Sequence, residues 1–369
     1  MSTKQESNFR TNIPFVDGLP EGYGTMQFPT GEIYTGSMVK GQRNGQGKCV
    51  WPSGEIYEGN WSEDKPNGKG KWIYKQDGPE VAQYTGEVVE GKRHGKGVYT
   101  KGNITYDGDW IENEFTGSGI IIDKDEGRYE GEVLNLKPHG KGKLTIPPEN
   151  EGEKEEVYEG EFKNGRREGK GKCRFPDGSS YDGEWEDDEI SGEGVYNYTD
   201  GSQYNGKWYS GKKNGHGEMR YGNGDHFSGD FKDDKIEGEG VFTYSDGRVY
   251  EGSFADGKYS GKGKLRNEGK WIYEGEFQNG MMNGHGTMTY NDTTSYVGHF
   301  VNDKREGKGI FTSPELTYEG EWLNDRKHGM GILTFVTGIT FEGEWKEGSL
   351  KDKGTLKFPK CSRWSNPAL

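Results

Sequence analysis

An aromatic residue followed two positions later by glycine recurs along most of this chain, usually at intervals of 23 residues. The fourteen units of this kind begin at Tyr34, Tyr57, Tyr84, Tyr106, Tyr129, Tyr158, Tyr181, Tyr204, Phe227, Tyr250, Tyr273, Tyr296, Tyr318 and Phe341. In thirteen of them a Gly-x-Gly pair follows eleven residues after the aromatic residue, and in the last Asp352 replaces the first glycine. Short, regular repeats are typical of arrays in which each unit packs against its neighbours in sequence. We therefore expect one repeat domain.

Each unit has the pattern of a β-hairpin. In residues 181–185, Tyr-Asp-Gly-Glu-Trp, alternate residues share a face, so both rings and the glycine lie on one face and the carboxylates on the other. Seven residues after the aromatic residue, thirteen units carry Gly, Asp or Asn, which tolerate the left-handed backbone of a tight turn. Leu136 is the exception, and we expect its turn to differ. The spacing predicts that aromatic rings lie across glycines, once in each repeat.

The order Tyr-x-Gly-x-Trp and then Gly-x-Gly resembles the MORN repeat (membrane occupation and recognition nexus) over residues 22–358. The resemblance implies an all-β fold: an elongated array of stacked antiparallel β-hairpins that form a twisted single-layer sheet. Two strands in each repeat, about 4.8 Å apart, would give a rod on the order of 130 Å long. The resemblance also implies a scaffold or tether, because MORN arrays occur in ciliary radial-spoke heads, protozoan cytoskeletal rings and membrane-junction proteins, and as appendages of lipid kinases and a lysine methyltransferase.

The repeat pattern also predicts the domain boundaries. Residues 1–12 carry no pattern and are expected to be disordered, 13–358 form one continuous array, and 359–369 form a tail. Spacing varies only between the second glycine and the next aromatic residue, which leaves insertions at 71–83 and 143–157. The second insertion is acidic, and we interpret it as an exposed loop or a partner-docking point. Trp364 is out of register in the tail, where it is expected to cap the array or to contact a partner or a second copy at this end.

The composition predicts a cytoplasmic protein without a transmembrane segment. No apolar run approaches the roughly 20 residues that a bilayer span requires. The first ten residues are polar and lack the apolar stretch of a signal peptide. Cys49, Cys173 and Cys361 form no disulfide framework, which favours a reducing compartment.

Motifs of catalysis and cofactor binding are weak. Gly-Lys-Gly recurs, but no Gly-Lys is followed by the Ser or Thr that a phosphate-binding loop requires. Five of the seven histidines recur at equivalent repeat positions, and none pairs with cysteine at metal-ligand spacing. Carboxylates are spread too evenly to nominate an acid and base pair. We therefore expect no enzymatic activity, no cofactor and no metal site.

Charged residues predict a candidate binding edge at the hairpin tips. Eight residues after the aromatic residue, nine units carry Lys or Arg, and several carry a second basic residue at the next position. The candidate edge for an anionic ligand or partner consists of Lys65, Lys92, Arg93, Lys137, Arg166, Arg167, Lys212, Lys213, Lys235, Lys258, Lys304, Arg305, Arg326 and Lys327. Such an edge serves solubility and edge protection, or binds anionic headgroups or an acidic protein tail. The net charge of −14 opposes anionic partners and argues against nucleic acid.

These observations favour a non-enzymatic scaffold in a cytoskeletal assembly, most plausibly ciliary or axonemal. The expected partners are other cytoskeletal or ciliary proteins, and the open end of the array makes a homodimer plausible. One alternative is a peripheral membrane tether that binds phosphoinositides through the basic tips. A second is a regulatory subunit of a separate lipid kinase or other enzyme.

Overall fold

The computed structural model describes residues 10–75, 81–148, 150, 152 and 154–359. The chain has two compact units, 1–189 and 190–369, and every regular element within the described ranges is a β-strand. The strands of the first unit are β1 Arg10–Thr11, β2 Phe15–Val16, β3 Leu19–Pro20, β4 Gly22–Gln27, β5 Ile33–Val39, β6 Gln42–Val50, β7 Ile56–Ser62, β8 Lys65–Tyr74, β9 Ala82–Val89, β10 Lys92–Lys101, β11 Ile104–Ile111, β12 Glu114–Asp123, β13 Gly127–Leu134, β14 Lys137–Ile146, β15 Glu156–Lys163, β16 Arg166–Arg174 and β17 Ser180–Glu186.

The first strand of the second unit starts at Glu189, the last residue of the first unit. Its strands are β18 Glu189–Asn197, β19 Gln203–Tyr209, β20 Lys212–Arg220, β21 His226–Lys232, β22 Lys235–Thr243, β23 Arg248–Ala255, β24 Lys258–Asn267, β25 Trp271–Gln278, β26 Met281–Asn291, β27 Thr294–Val301, β28 Lys304–Thr312, β29 Leu316–Leu323, β30 Arg326–Phe335, β31 Thr340–Lys346 and β32 Ser349–Lys357.

In each unit the strands pair in the order of the chain. In the first unit β1 pairs with β4, and each strand from β4 to β17 is antiparallel to the next one in sequence, while β2 and β3 form a separate hairpin. In the second unit the strands from β18 to β32 pair in the same way. The predicted all-β fold of stacked antiparallel hairpins is therefore confirmed.

The hairpin tips are two-residue turns in which both residues have positive φ. Lys40 and Gly41 have φ of 48° and 79°, which is the geometry of the type I′ turn that matches the twist of antiparallel strands. Asn135 and Leu136 have the same geometry, with φ of 53° and 63°. Our expectation that the turn at Leu136 differs is wrong. A two-residue loop between twisted strands requires this backbone whatever side chain it carries.

The two glycines of each Gly-x-Gly pair are needed for different reasons. Gly45 has φ of 73° and lies where the pairing register between β5 and β6 shifts, so it supplies a backbone conformation. Gly47 lies under the ring of Tyr34, and a Cβ there would clash with that ring. The Tyr34 hydroxyl donates a hydrogen bond to the Ser37 carbonyl at 2.8 Å, which fixes the ring in this position. The predicted packing of rings across glycine is present.

Aromatic rings also join consecutive repeats. Trp61 lies between Tyr34 and Tyr57, with ring centroids 5.3 and 5.4 Å apart and edge-to-face geometry on both sides. Its indole N–H donates to the Gly47 carbonyl of the preceding repeat at 2.9 Å. In the second unit Trp322 lies in the same way between Tyr296 and Tyr318. Each such ring pair adds about 0.5 to 1.5 kcal/mol beyond the burial of its area.

The repeat that begins at Tyr106 departs from this packing. The ring of Phe115 is fully buried and lies across Gly119, where the pattern places the ring of Tyr106. Tyr106 is half-buried beside it, with ring centroids 5.6 Å apart. Phe115 occupies the site because it lies on the same face of the next strand and has no hydroxyl group that needs a partner.

The ends and insertions differ in part from the predicted boundaries. Arg10 and Thr11, within the segment expected to be disordered, pair with Gln27 and Met26 in β4. Ile13 is buried and covers Gly24 in place of an aromatic ring. Parts of both insertions extend strands: 71–74 belong to β8, 82–83 to β9, 143–146 to β14 and 156–157 to β15. Residues 1–9, 76–80 and the tail from 360 onward, including Trp364, lie outside the described residues.

Candidate functional site

The candidate edge residues divide into an exposed set and an inward set, because successive residues of a strand point to opposite faces. The exposed set consists of Lys65, Lys92, Lys137, Arg166, Lys212, Lys235, Lys258, Lys304 and Arg326. The inward set is half-buried and consists of Arg93, Arg167, Lys213, Arg305 and Lys327. Adjacent basic residues in the sequence therefore do not form one surface.

Much of the exposed set is paired with carboxylates of the next hairpin tip. The nitrogen-to-oxygen distances are 3.4 Å for Lys65–Glu90, 3.3 Å for Lys92–Glu112, 3.0 Å for Arg166–Asp187, 4.0 Å for Lys212–Asp233 and 2.6 Å for Lys235–Asp256. Exposed pairs of this kind contribute about 0 to 1 kcal/mol each. Within the described residues, Lys137, Lys258, Lys304 and Arg326 have no carboxylate within 4.0 Å, and Lys304 Nζ donates instead to the Asn324 amide oxygen at 3.4 Å. The hairpin tips therefore present a mixed row of basic and acidic side chains and not a continuous basic stripe.

The inward set packs against the aromatic core. The guanidinium carbon of Arg93 lies 4.4 Å from the Trp110 ring centroid, and that of Arg305 lies 4.4 Å from the Trp322 centroid. Burial lowers the pKa of Lys213, whose ammonium group lies among tyrosine rings. These cations are attracted by the ring faces and cover them with their aliphatic stems.

Side chains of the following turn hold inward cations in place, through an Asn113 amide for Arg93 and through carboxylates for Arg167 and Arg305. The backbone N–H of Arg167 donates to Asp188 Oδ1 at 2.8 Å, and that of Arg305 donates to Asp325 Oδ1 at 3.0 Å. Arg43 has the same arrangement with Asp64 and Trp61, although our sequence rule did not select it because Gln42 precedes it. Neighbouring hairpin tips are therefore fastened together by the inward set, which is committed to the fold and not free for a ligand.

The face of the sheet opposite the aromatic rings is a shallow trough. Its floor is formed by glycines that lie opposite each other on adjacent strands. Its walls are charged in most repeats, and opposite charges meet across strands, as for Lys96 and Asp109 at 2.7 Å and Lys172 and Asp182 at 2.9 Å. Acidic and basic side chains of this face therefore pair across strands at these positions. The trough is thus a polar surface that each repeat lengthens.

The trough becomes apolar near the end of the second unit. We call this part the apolar groove; it encloses about 550 Å³. Its apolar side chains are Val297, Ile310, Met330 and Ile332, its floor includes Gly298, Gly309, Gly320 and Gly331, and its rim carries Lys308, Glu319, Glu321 and Glu342. The four apolar side chains are 40 to 57 % exposed. Sequence reasoning missed them, although Val297 and Met330 occupy positions that are charged in most other repeats, which is a signal it could have used.

The two thiols that the structure describes, Cys49 and Cys173, are buried. Burial raises the pKa of Cys49 to about 11 and that of Cys173 to about 12.

Among the described residues no helix could span a membrane.

The MORN repeat matches this chain at fourteen consecutive segments, residues 15–33, 34–56, 57–77, 84–103, 106–128, 129–150, 158–180, 181–203, 204–226, 227–247, 250–267, 273–295, 296–315 and 318–340. The first matched segment precedes the unit that begins at Tyr34, and the last one ends at Thr340, the first residue of β31. Together they cover well over half of the chain. This chain therefore belongs to the MORN repeat family.

Proposed function

We propose that this chain is a non-enzymatic scaffold that holds partner proteins in a cytoskeletal assembly, most plausibly ciliary or axonemal. As an array of MORN repeats, it is a repeat scaffold for protein or membrane binding. The apolar groove is the observation that supports a protein partner.

Four exposed apolar side chains in one trough are unusual on a surface that is otherwise charged. Single exposed apolar residues are ordinary, but a contiguous group bordered by polar residues is typical of an interaction site. Val297 and Ile310 lie directly opposite each other on β27 and β28, and Ile332 on β30 lies beyond Glu319 of β29 in the same row. Three glutamates and one lysine border the groove, which gives it a net negative rim. We infer a partner segment with apolar anchors flanked by Lys or Arg, because such charges complement this rim.

Peptide selection on the full-length chain tests this proposal. A phage-displayed peptide library should yield segments that combine apolar and basic residues. Their affinity should fall at least about tenfold for the double variant Ile310→Glu and Ile332→Glu, since charge replaces the apolar anchors of the groove. Val81→Glu, at a position 62 % exposed in the first unit, is the matched control and should bind as the wild type does. Equal binding by the double variant and the wild type would rule out the groove.

The membrane-tether alternative depends on the exposed set at the hairpin tips. Anionic headgroups attract free basic residues by roughly 1 kcal/mol each, and the ion pairs with neighbouring tips reduce the number that are free. We therefore expect no flotation with phosphoinositide-containing liposomes at physiological salt. Flotation that persists at this salt and disappears after the four exposed residues without a carboxylate partner in the described ranges, Lys137, Lys258, Lys304 and Arg326, are all changed to Glu would favour the tether instead.

The cytoskeletal assignment has its own test. A tagged chain expressed in ciliated cells should remain with the axoneme after the membrane is extracted with detergent. Release into the detergent-soluble fraction would contradict the assignment and favour attachment to a membrane.

A further inference from the structure

Cross-strand pairing in the trough follows a fixed register. The residue between the two glycines of one repeat lies opposite the residue three positions after the next aromatic residue, as for Lys96 and Asp109 or Lys262 and Glu276. Most of these pairs place a lysine opposite a carboxylate, and in Lys96 and Asp109 the two groups form an ion pair at 2.7 Å.

At β26 and β27 both members of the pair are histidines. His285 lies directly opposite His299, and their rings are in contact, with centroids 5.0 Å apart and planes at 77°. His285 is exposed and His299 is half-buried, so solvent reaches the pair from the open side of the trough. Glu276, on β25, extends its carboxylate over the backbone of Gly284, next to His285. No sequence spacing rule for metal ligands finds this pair, because the two residues are joined only by the register between repeats.

Two imidazole rings at this separation suit a transition-metal ion. Metal-to-nitrogen bonds of about 2.0 to 2.1 Å place two ligand nitrogens about 2.9 Å apart in the tetragonal shell of Cu²⁺ and about 3.4 Å apart in a tetrahedral shell, which rings in contact can reach by side-chain rotation. Imidazole nitrogen suits copper, nickel and zinc, whereas magnesium and calcium require oxygen ligands. Unlike the lysine–carboxylate pairs of the trough, two histidines form no ion pair with each other, so a metal ion meets no competing ion pair between them.

We propose that His285 and His299 together bind one divalent transition-metal ion, with Cu²⁺ bound most tightly, as the order of divalent affinities predicts. The described residues contain no ready group of three His, Cys, Asp or Glu ligands, so water fills the remaining positions of the coordination shell. Glu276 is the nearest carboxylate in the same row and orders one of these waters. The bound ion would link β26 to β27 and thereby two consecutive repeats.

Titration of the full-length chain with Cu²⁺ tests this site. Iodoacetamide first blocks any reactive thiol, while Cys49 and Cys173 are buried and shielded from the ion. The electron paramagnetic resonance spectrum of the first equivalent should show two coordinated imidazole nitrogens. His285→Asn and His299→Asn should each weaken this binding on the order of tenfold or more, because one ligand of a chelating pair is lost. Circular dichroism of each variant confirms folding, and either variant alone suffices if the other is not folded.

His216→Asn is the matched control. His216 occupies the same repeat position as His285, but it faces Asp230, whose carboxylate lies 3.2 Å from its Nδ1. This variant should bind the first equivalent of Cu²⁺ as the wild type does. The proposal is overturned if the wild type binds no Cu²⁺ after thiol blocking, or if the two single variants bind it as tightly as the control.

Discussion

Arg93 lies over the indole ring of Trp110 in the next repeat, with the guanidinium carbon 4.4 Å from the ring centroid, while the adjacent Lys92 points to solvent and pairs with Glu112. Arg93 also donates from Nη2 to the Asn113 carbonyl at 2.8 Å. Two neighbouring basic residues therefore have different functions, because one faces the core and the other the tip surface.

Arg93→Ala should destabilise the fold by about 1 to 3 kcal/mol, since it removes a cation–π contact, a hydrogen bond and apolar stem packing. Lys92→Ala should cost no more than about 1 kcal/mol, because it loses one exposed ion pair. Urea unfolding followed by far-UV circular dichroism measures both. Equal losses for the two variants would contradict the division of the edge into an exposed and an inward set.

Gly97→Ala should be strongly destabilising, because its Cβ would clash with the ring of Tyr84. Overpacking in a close-packed core costs about 1 to 3 kcal/mol. Gly211→Asn is the control: Gly211 has φ of 73°, a Cβ at this position would meet no atom within 4 Å, and asparagine tolerates this conformation. The midpoint of urea unfolding should fall for the first variant and stay close to that of the wild type for the second.

Leu136→Asn should stabilise the hairpin of β13 and β14. Leu136 has φ of 63°, and left-handed backbone costs a branched residue about 1 to 2 kcal/mol, which asparagine partly relieves. The leucine side chain is 41 % exposed, so little burial is lost. Thermal unfolding monitored by circular dichroism should show a higher midpoint. A lower midpoint would mean that the leucine makes a stabilising contact at the tip.

Alkaline pH should unfold the array. Burial raises the pKa of Tyr34, Tyr57 and Tyr84 to about 12 from the ordinary value of 10.0. A folded-state pKa above that of the unfolded chain contributes stability that is complete below pH 10 and is lost as the pH rises through 12. Tyrosinate absorbance at 295 nm should therefore rise together with loss of circular dichroism in this range. Tyr209→Phe, at a 68 % exposed position, should leave the unfolding transition unchanged. Ionisation of most tyrosines before any loss of structure would contradict the prediction.

The repeat sequence was sufficient to predict the local structure. Aromatic residues and glycines two apart assign the faces of each strand, and residues such as Gly41 in the turn indicate where it reverses. The same rule did not predict the position of Phe115. Two rings compete for the site over Gly119, and the repeat pattern does not decide between them. It also failed at Leu136, where the short loop determines the backbone more strongly than the side chain does.

The sequence by itself determined that this chain forms stacked hairpins with a ring face and a charged face, because strand periodicity is a local property. Only the tertiary structure decided which side chains meet across strands: Arg93 with Trp110 and His285 with His299 between consecutive repeats, and Val297 with Ile310 within one repeat. These contacts depend on the register of adjacent strands, which shifts at the first glycine of the pair within hairpins such as β9–β10, β25–β26 and β27–β28. A shift of this kind changes the partner of every residue beyond it, so binding surfaces that span several strands follow from packing and not from spacing along one strand.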